Sequence, residues 1–180
     1  MPQIIYPICC GIDVHKSFLV ACIATTDSTL ITTYKSKRFS TFTGDLRRLA
    51  EWLTQNHCLD VCMESTGKYW IPVWNILEKT CRPVLVHPKY VHAIKGQKTD
   101  KKDAKWIADV FKQDMLRGSF IPPEDIRQLR DLVRYHSKLT HCTTGEKNRA
   151  LNCLTVSNIK LDDVFSDVFG KSASDRKSVV

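Results

Sequence analysis

The chain has 180 residues, 43% of them apolar, with 27 basic against 19 acidic side chains and a formal net charge of +8. That is enough for one domain with a sizeable core plus an appendage, and it excludes a disordered chain. No stretch reaches the roughly 18 apolar residues of a membrane-spanning helix, and the basic balance favours an anionic partner, most often nucleic acid.

The start, MPQIIYPICC, lacks the basic region and unbroken apolar run of a signal peptide. The eight cysteines form no CxxC pair and no zinc-finger spacing. Most sit in apolar runs such as ICCGI and VACIA, where cysteine acts as a small buried hydrophobe. The compartment expected for such a chain is a reducing cytoplasm.

In chain order, ICCGIDV (8–14) and SFLVACIAT (17–25) read as buried strands, and LITTYKSKRF (30–39) alternates like a more exposed third. Short connections make these three an antiparallel meander. The period then changes. Leu46, Leu49, Ala50 and Leu53 recur at helical spacing within 43–56. LDVCM (59–63) is a fourth strand. KYWIPVWNILEK (68–79) is a helix whose Pro72 must lie in the first turn. RPVLVHP (82–88) is a fifth strand, a short helix covers 89–95, and a longer helix runs from 100 to about 117 with Met115 on its apolar side. The order βββ-α-β-α-β-α implies an α/β protein with a mixed five-stranded sheet and helices on both faces. It is the element order of the ribonuclease H-like fold.

After IPPE (121–124) the chain becomes helical and polar. Ile126, Leu129, Leu132 and Val133 start a stripe, 134–149 is polar almost all round, and Leu151 and Leu154 resume it. Such a helix bridges domains or packs on a partner. Gly145 is the expected break of a helical hairpin or antiparallel pair. LDDVFSDVF (161–169) reads as one more short helix, and KSASDRKSVV as a disordered tail.

Four acids carry the chemical reading. Asp13 ends the first strand and Glu64 follows the fourth. With strand order 3-2-1-4-5, these two strands are parallel neighbours whose C-terminal ends lie together, where α/β sheets hold ligands. KTDKKDAK (98–105) adds Asp100 and Asp103, three apart and so on one helix face. Taken alone, Thr99 and these acids also fit a helix N-cap with a favourable dipole interaction, and Asp13 and Glu64 also fit strand-end turns. Together, four carboxylates repel, and Mg²⁺ relieves that repulsion. Two such ions about 4 Å apart serve phosphoryl transfer. Lys98, Lys101, Lys102 and Lys105 then hold phosphates.

GIDVHK, MESTGKYW and HPKYVHAIKGQKTDKKDAKWIA resemble the DEDD-type insertion-sequence transposases of the IS110 family, which are related to the pilin-gene invertases. The match falls on Asp13, Glu64, Asp100 and Asp103, with Thr66, Gly67, Thr99 and Ala104 around them. It continues through KNRALNCL and LDDVFSDVFGKS. The resemblance implies a RuvC-like DEDD domain over 1–120 that binds Mg²⁺, with Mn²⁺ as a substitute, and acts on DNA phosphodiesters in transposition. It also implies a helical linker and oligomerisation segment over 121–170, a homo-oligomer (dimer or tetramer), and a structured bridge RNA as guide. The family's C-terminal domain carries a catalytic serine. No residue here matches it; Ser172, Ser174 and Ser178 are not assigned that role, so complete recombination is not expected of these 180 residues.

Further nucleic-acid contacts are Lys68 beside the Glu64 loop, with Tyr69 and Trp70 as stacking or core residues. His87, Lys89, His92 and Lys95 approach the site. Arg127, Arg130, Arg134 and Lys138 form a basic ridge that could follow a nucleic-acid backbone or be an ordinary charged face. His15 is a capping residue or touches metal-bound water. The rival readings are a stand-alone metal-dependent nuclease or junction resolvase, a nucleic-acid-binding module without chemistry, and a structural helical oligomer.

Overall fold

The computed structural model describes residues 4–91 and 100–171. They divide into two compact units, one ending at Ile121 and the other starting at Pro122.

The first unit is built on five strands: β1 (Ile8–Val14), β2 (Phe18–Thr26), β3 (Thr32–Ser40), β4 (Asp60–Glu64) and β5 (Arg82–Val86). They form one sheet in the order β3-β2-β1-β4-β5. The meander β1-β2-β3 is antiparallel, and β4 and β5 run parallel to β1. This is the mixed, ribonuclease H-like arrangement expected from the element order.

The two sheet faces follow from strand alternation. Cys10, Ile12 and Val14 point to one side and pack with Leu46, Leu49 and Leu53 of α1 (Thr43–Gln55) and with Val73, Trp74 and Leu77 of α2 (Trp70–Leu77). Pro72 is the third residue of α2, where its missing N–H has no intrahelical partner to lose. Cys9 points to the other side, with Ile107, Ala108 and Phe111 of α4 (Asp100–Phe111). Between β5 and α4 lies the short α3 (Pro88–Val91). The rest of the 89–95 helix lies outside the described residues.

α4 is shorter than the apolar pattern suggests. It ends at Phe111, and Asp114 adopts a left-handed φ of 55°. Met115 is therefore exposed, and Leu116 is the residue that returns to the core. Residues beyond it run along the outer edge of β5, where Gly118 bridges Val86.

In the second unit, α5 (Glu124–Val156) is one continuous 33-residue helix. The break expected at Gly145 does not occur. One glycine costs a helix only about 1 kcal/mol relative to alanine, and no proline removes a backbone donor. Thr140, Thr143 and Thr144 bond back to carbonyls four residues earlier, so their hydroxyls do not compete with the helix. The apolar residues Ile126, Leu129, Leu132 and Val133 are exposed. The expected helix at 161–169 reduces to a single 3₁₀ turn, Leu161–Asp163. Of the expected tail, 172–180 lies outside the described residues.

No helix among the described residues is long and apolar enough to cross a membrane. Cys9, Cys10, Cys22, Cys58, Cys62 and Cys81 are buried, and Cys142 and Cys153 are exposed.

Candidate active site

The parallel pairing of β1 with β4 puts Ile12 beside Met63, so the next residues, Asp13 and Glu64, stand side by side at the C-terminal ends of adjacent strands, Asp13 one residue before the end of β1. Adjacent strands lie about 4.8 Å apart. The two acids also share a face. Asp13 alternates with Gly11 and Cys9, Glu64 with Cys62, and Cys9 and Cys62 both pack beneath α4. Across the antiparallel pair, Asp13 lies opposite Val20, and Val20 packs with Cys22 and Ala104 of α4.

Gly11 sets the height of α4 over the sheet. A Cβ on Gly11 would lie 2.2 Å from the Ala104 carbonyl oxygen and 2.4 Å from the Ala108 nitrogen. Helix backbone therefore rests directly on strand backbone, an approach that only glycine permits. The same contacts fix the helix direction. The Cys9 thiol donates to the Ala108 carbonyl at 3.6 Å, and Gly11 meets Ala104 through Ala108. Along β1, contacts step backward along α4, so the two run antiparallel. Two strand residues advance about 6.6 Å and four helix residues about 6 Å. The step from Gly11 to Asp13 thus leads to the first turn of α4, which begins at Asp100 and includes Asp103. Asp103 is half-buried. The side chain of Asp100 lies outside the described residues.

The carboxylates already have protein partners. His15 Nε2 lies 3.0 Å from Asp13 Oδ2, and the Asp13 side chain is only 13% exposed. The His15 ring also packs against Phe18, with centroids 4.5 Å apart, across the tight β1–β2 turn. Thr66 Oγ1 donates to Glu64 Oε1 at 3.3 Å, and its N–H donates to the Glu64 carbonyl at 2.9 Å. The turn after Glu64 closes at Gly67, whose φ of 55° suits glycine. All the donors here are carboxylate oxygens, a hard set suited to Mg²⁺ or Mn²⁺ rather than to softer ions. Among the described residues, no three of His, Cys, Asp and Glu come close enough together to hold a metal ion.

The basic residues are dispersed. Lys68 is exposed beside the Glu64 turn. Next to it, Trp70 is half-buried, donates to the Gly67 carbonyl at 3.2 Å and meets Trp74 edge-on, so it braces the turn and core. Tyr69 is exposed. Lys105 does not join the carboxylates: its Nζ lies 3.9 Å over the Tyr34 ring on β3. Tyr34 pairs with Ala24, and Ala24 with Cys9, four residues back along β1 from Asp13. His92, Lys95, Lys98 and Thr99 lie outside the described residues, as do the side chains of Lys101 and Lys102. On α5, Arg127 donates to the Pro122 carbonyl at 2.7 Å, while Arg130, Arg134 and Lys138 are exposed.

Sequence patterns did not nominate Gly11, the residue that lets α4 approach. A glycine inside an otherwise apolar strand is the signal that identifies it.

The fold is a ribonuclease H-like α/β arrangement, with two acids, Asp13 and Glu64, at the C-terminal ends of its two central parallel strands. Over residues 10–159 the chain matches the family model of the IS110 DEDD transposases, and it belongs to that family. No curated protein sequence matches it. Among solved structures, it is similar to RuvC of Thermus thermophilus at 15% identity and a TM-score of 0.46, over 62% of this chain and 99% of that one. The same protein in complex with a Holliday junction substrate aligns at 13% identity and a TM-score of 0.45, over 62% and 99%. The Holliday junction resolvase of Fowlpox virus aligns at 13% identity and a TM-score of 0.44, over 59% and 99%.

Proposed function

We propose that the chain is the metal-binding, DNA-processing part of a transposase, with Asp13, Glu64, Asp100 and Asp103 holding Mg²⁺ against a DNA phosphodiester. The observation that carries this reading is the seat of α4 on Gly11. It turns the first turn of the helix toward two acids that end neighbouring strands. A purely structural role does not call for acids at the C-terminal ends of both central strands.

Bound Mg²⁺ supplies Lewis-acid polarisation of the phosphate and a lowered pKa for the attacking oxygen. The protein's contribution is positional. β1 and β4 supply the two fixed carboxylates, and α4 supplies the remaining pair. His15 orients the Asp13 carboxylate through its 3.0 Å contact, and Thr66 orients that of Glu64. A structured guide RNA is the partner implied by the family likeness, and residues 121–170 support a dimer or tetramer. Chemistry beyond strand cleavage rests with the catalytic serine of the family.

The test is a thermal-shift titration with Mg²⁺ and Mn²⁺, with and without duplex DNA, on the wild type, Asp13→Ala and Asp100→Ala. A ligand that binds only the native state stabilises it by about 2.7 kcal/mol at 100 times its Kd. The wild type should gain stability on adding either ion and both variants should not. A wild type unmoved by either ion, with and without DNA, refutes the metal site.

A further inference from the structure

A basic cavity lies at the same end of the sheet as Glu64, one strand further out. It has a volume of about 430 Å³ and is lined by His87, Lys89, Arg117, Gly118 and Ser119. The chain builds it in two steps. Glu64 pairs with Val86 in the parallel β4–β5 ladder, so His87 leaves β5 at the sheet end where β4 delivers Glu64. The segment after Leu116 then returns along the open edge of β5. Gly118 bridges Val86 in antiparallel sense, and the Ser119 N–H donates to the Leu85 carbonyl at 2.7 Å. That register carries Arg117 back to the level of His87.

The lining chemistry selects for an anion. Arg117 offers a guanidinium fork, Lys89 an ammonium and Ser119 a hydroxyl, and among the described residues no carboxylate lines the cavity. The Lys89 N–H donates to His87 Nδ1 at 3.2 Å, which holds the imidazole ring at the cavity wall. An arginine fork with added donors suits the paired oxygens of a phosphodiester.

We propose that this cavity binds a backbone phosphate of the DNA strand whose neighbouring phosphodiester lies at the Asp13–Glu64 centre. The proposal rests on the metal-dependent reading above for the identity of the strand, but not for the existence of the anion site. Its role is to fix the register of the strand, as phosphate contacts do.

The test is fluorescence anisotropy of labelled duplex DNA across a salt series in EDTA, so that binding is read without metal. Arg117→Gln and Lys89→Gln are compared with the wild type and with Lys79→Gln, which precedes β5 at its other end. Removing one cation from a phosphate should reduce the steepness of log K against log salt by about 0.9, and Lys79→Gln should leave it unchanged. Wild-type binding with unaltered slopes in both cavity variants overturns the proposal and leaves the metal reading intact. No salt-dependent DNA binding by the wild type also overturns it. A slope change seen with RNA of the same sequence but not with DNA overturns the assignment to DNA. Failure of the metal reading is detected separately, as loss of the Mg²⁺ thermal shift, which Arg117→Gln should retain.

Discussion

Replacing Gly11 with alanine tests the link between fold and site. The added methyl would sit 2.2 Å from the Ala104 oxygen and 2.4 Å from the Ala108 nitrogen, against 3.4 Å or more for an ordinary contact. Both atoms belong to helix backbone and cannot rotate away. α4 must therefore withdraw by about an ångström, loosening Ile107, Ala108 and Phe111 against the sheet. Overpacking of this kind costs about 1–3 kcal/mol. That is a sizeable part of a total stability of about 5–15 kcal/mol, yet not enough to unfold the protein. The same withdrawal moves Asp100 and Asp103 relative to Asp13 and Glu64. A misplacement of about 1 Å costs on the order of 10²-fold in rate. Urea unfolding of Gly11→Ala should show the stability loss, and Mg²⁺ titration of the folded variant should show a weakened response. Gly44→Ala is the control: it lies in α1, a Cβ there meets nothing within 4 Å, and the change should be neutral or stabilising by up to about 1 kcal/mol. If Gly11→Ala matches the wild type in both stability and Mg²⁺ response, α4 does not position the acids as argued.

Two further outcomes follow from individual residues. Burial pushes the Cys9 thiol up to about 12, and it also raises those of Cys10, Cys22, Cys58, Cys62 and Cys81. A thiol reagent at neutral pH should label only Cys142 and Cys153 in the native protein and all eight cysteines after unfolding; rapid native labelling of Cys62 would contradict the core described here. Asp27 is held below its usual value of 3.8 by the Thr29 hydroxyl, the Ile31 N–H and the Thr29 N–H. A depressed carboxylate stabilises the fold above its unfolded pKa and loses that effect as pH falls through the folded one. The stability difference between wild type and Asp27→Ala should therefore be full at pH 7 and shrink only below about pH 4. A difference independent of pH would assign the turn's stability to something other than the carboxylate.

Much of the first unit was legible in the sequence because its signals are local. Period-2 and period-3.6 patterns marked five strands and the principal helices, and Pro72 marked the start of α2. The acids could be nominated because Asp13 and Glu64 follow apolar runs and Asp100 and Asp103 are one helical turn apart. Local signals failed where a weak preference met a stronger continuity. Gly145 was read as a break, yet about 1 kcal/mol does not interrupt a 33-residue helix. Met115 continued an apolar stripe past the point where Asp114 turns the chain. Periodicity therefore determined the elements, the sheet order they allow and the residue types available for chemistry.

Only the tertiary structure decided which residues meet. The shared face of Asp13 and Glu64 depends on β1–β4 register, and the approach of α4 depends on a missing side chain at Gly11. Lys105 belongs to the sequence of the acidic turn but lies over Tyr34, because a ring on β3 is within its reach. Arg117 and His87 are thirty residues apart and become neighbours only through the Val86–Gly118 bridge. Such pairings are set by strand register and backbone approach across the sheet, and these are non-local quantities that no spacing along the chain encodes.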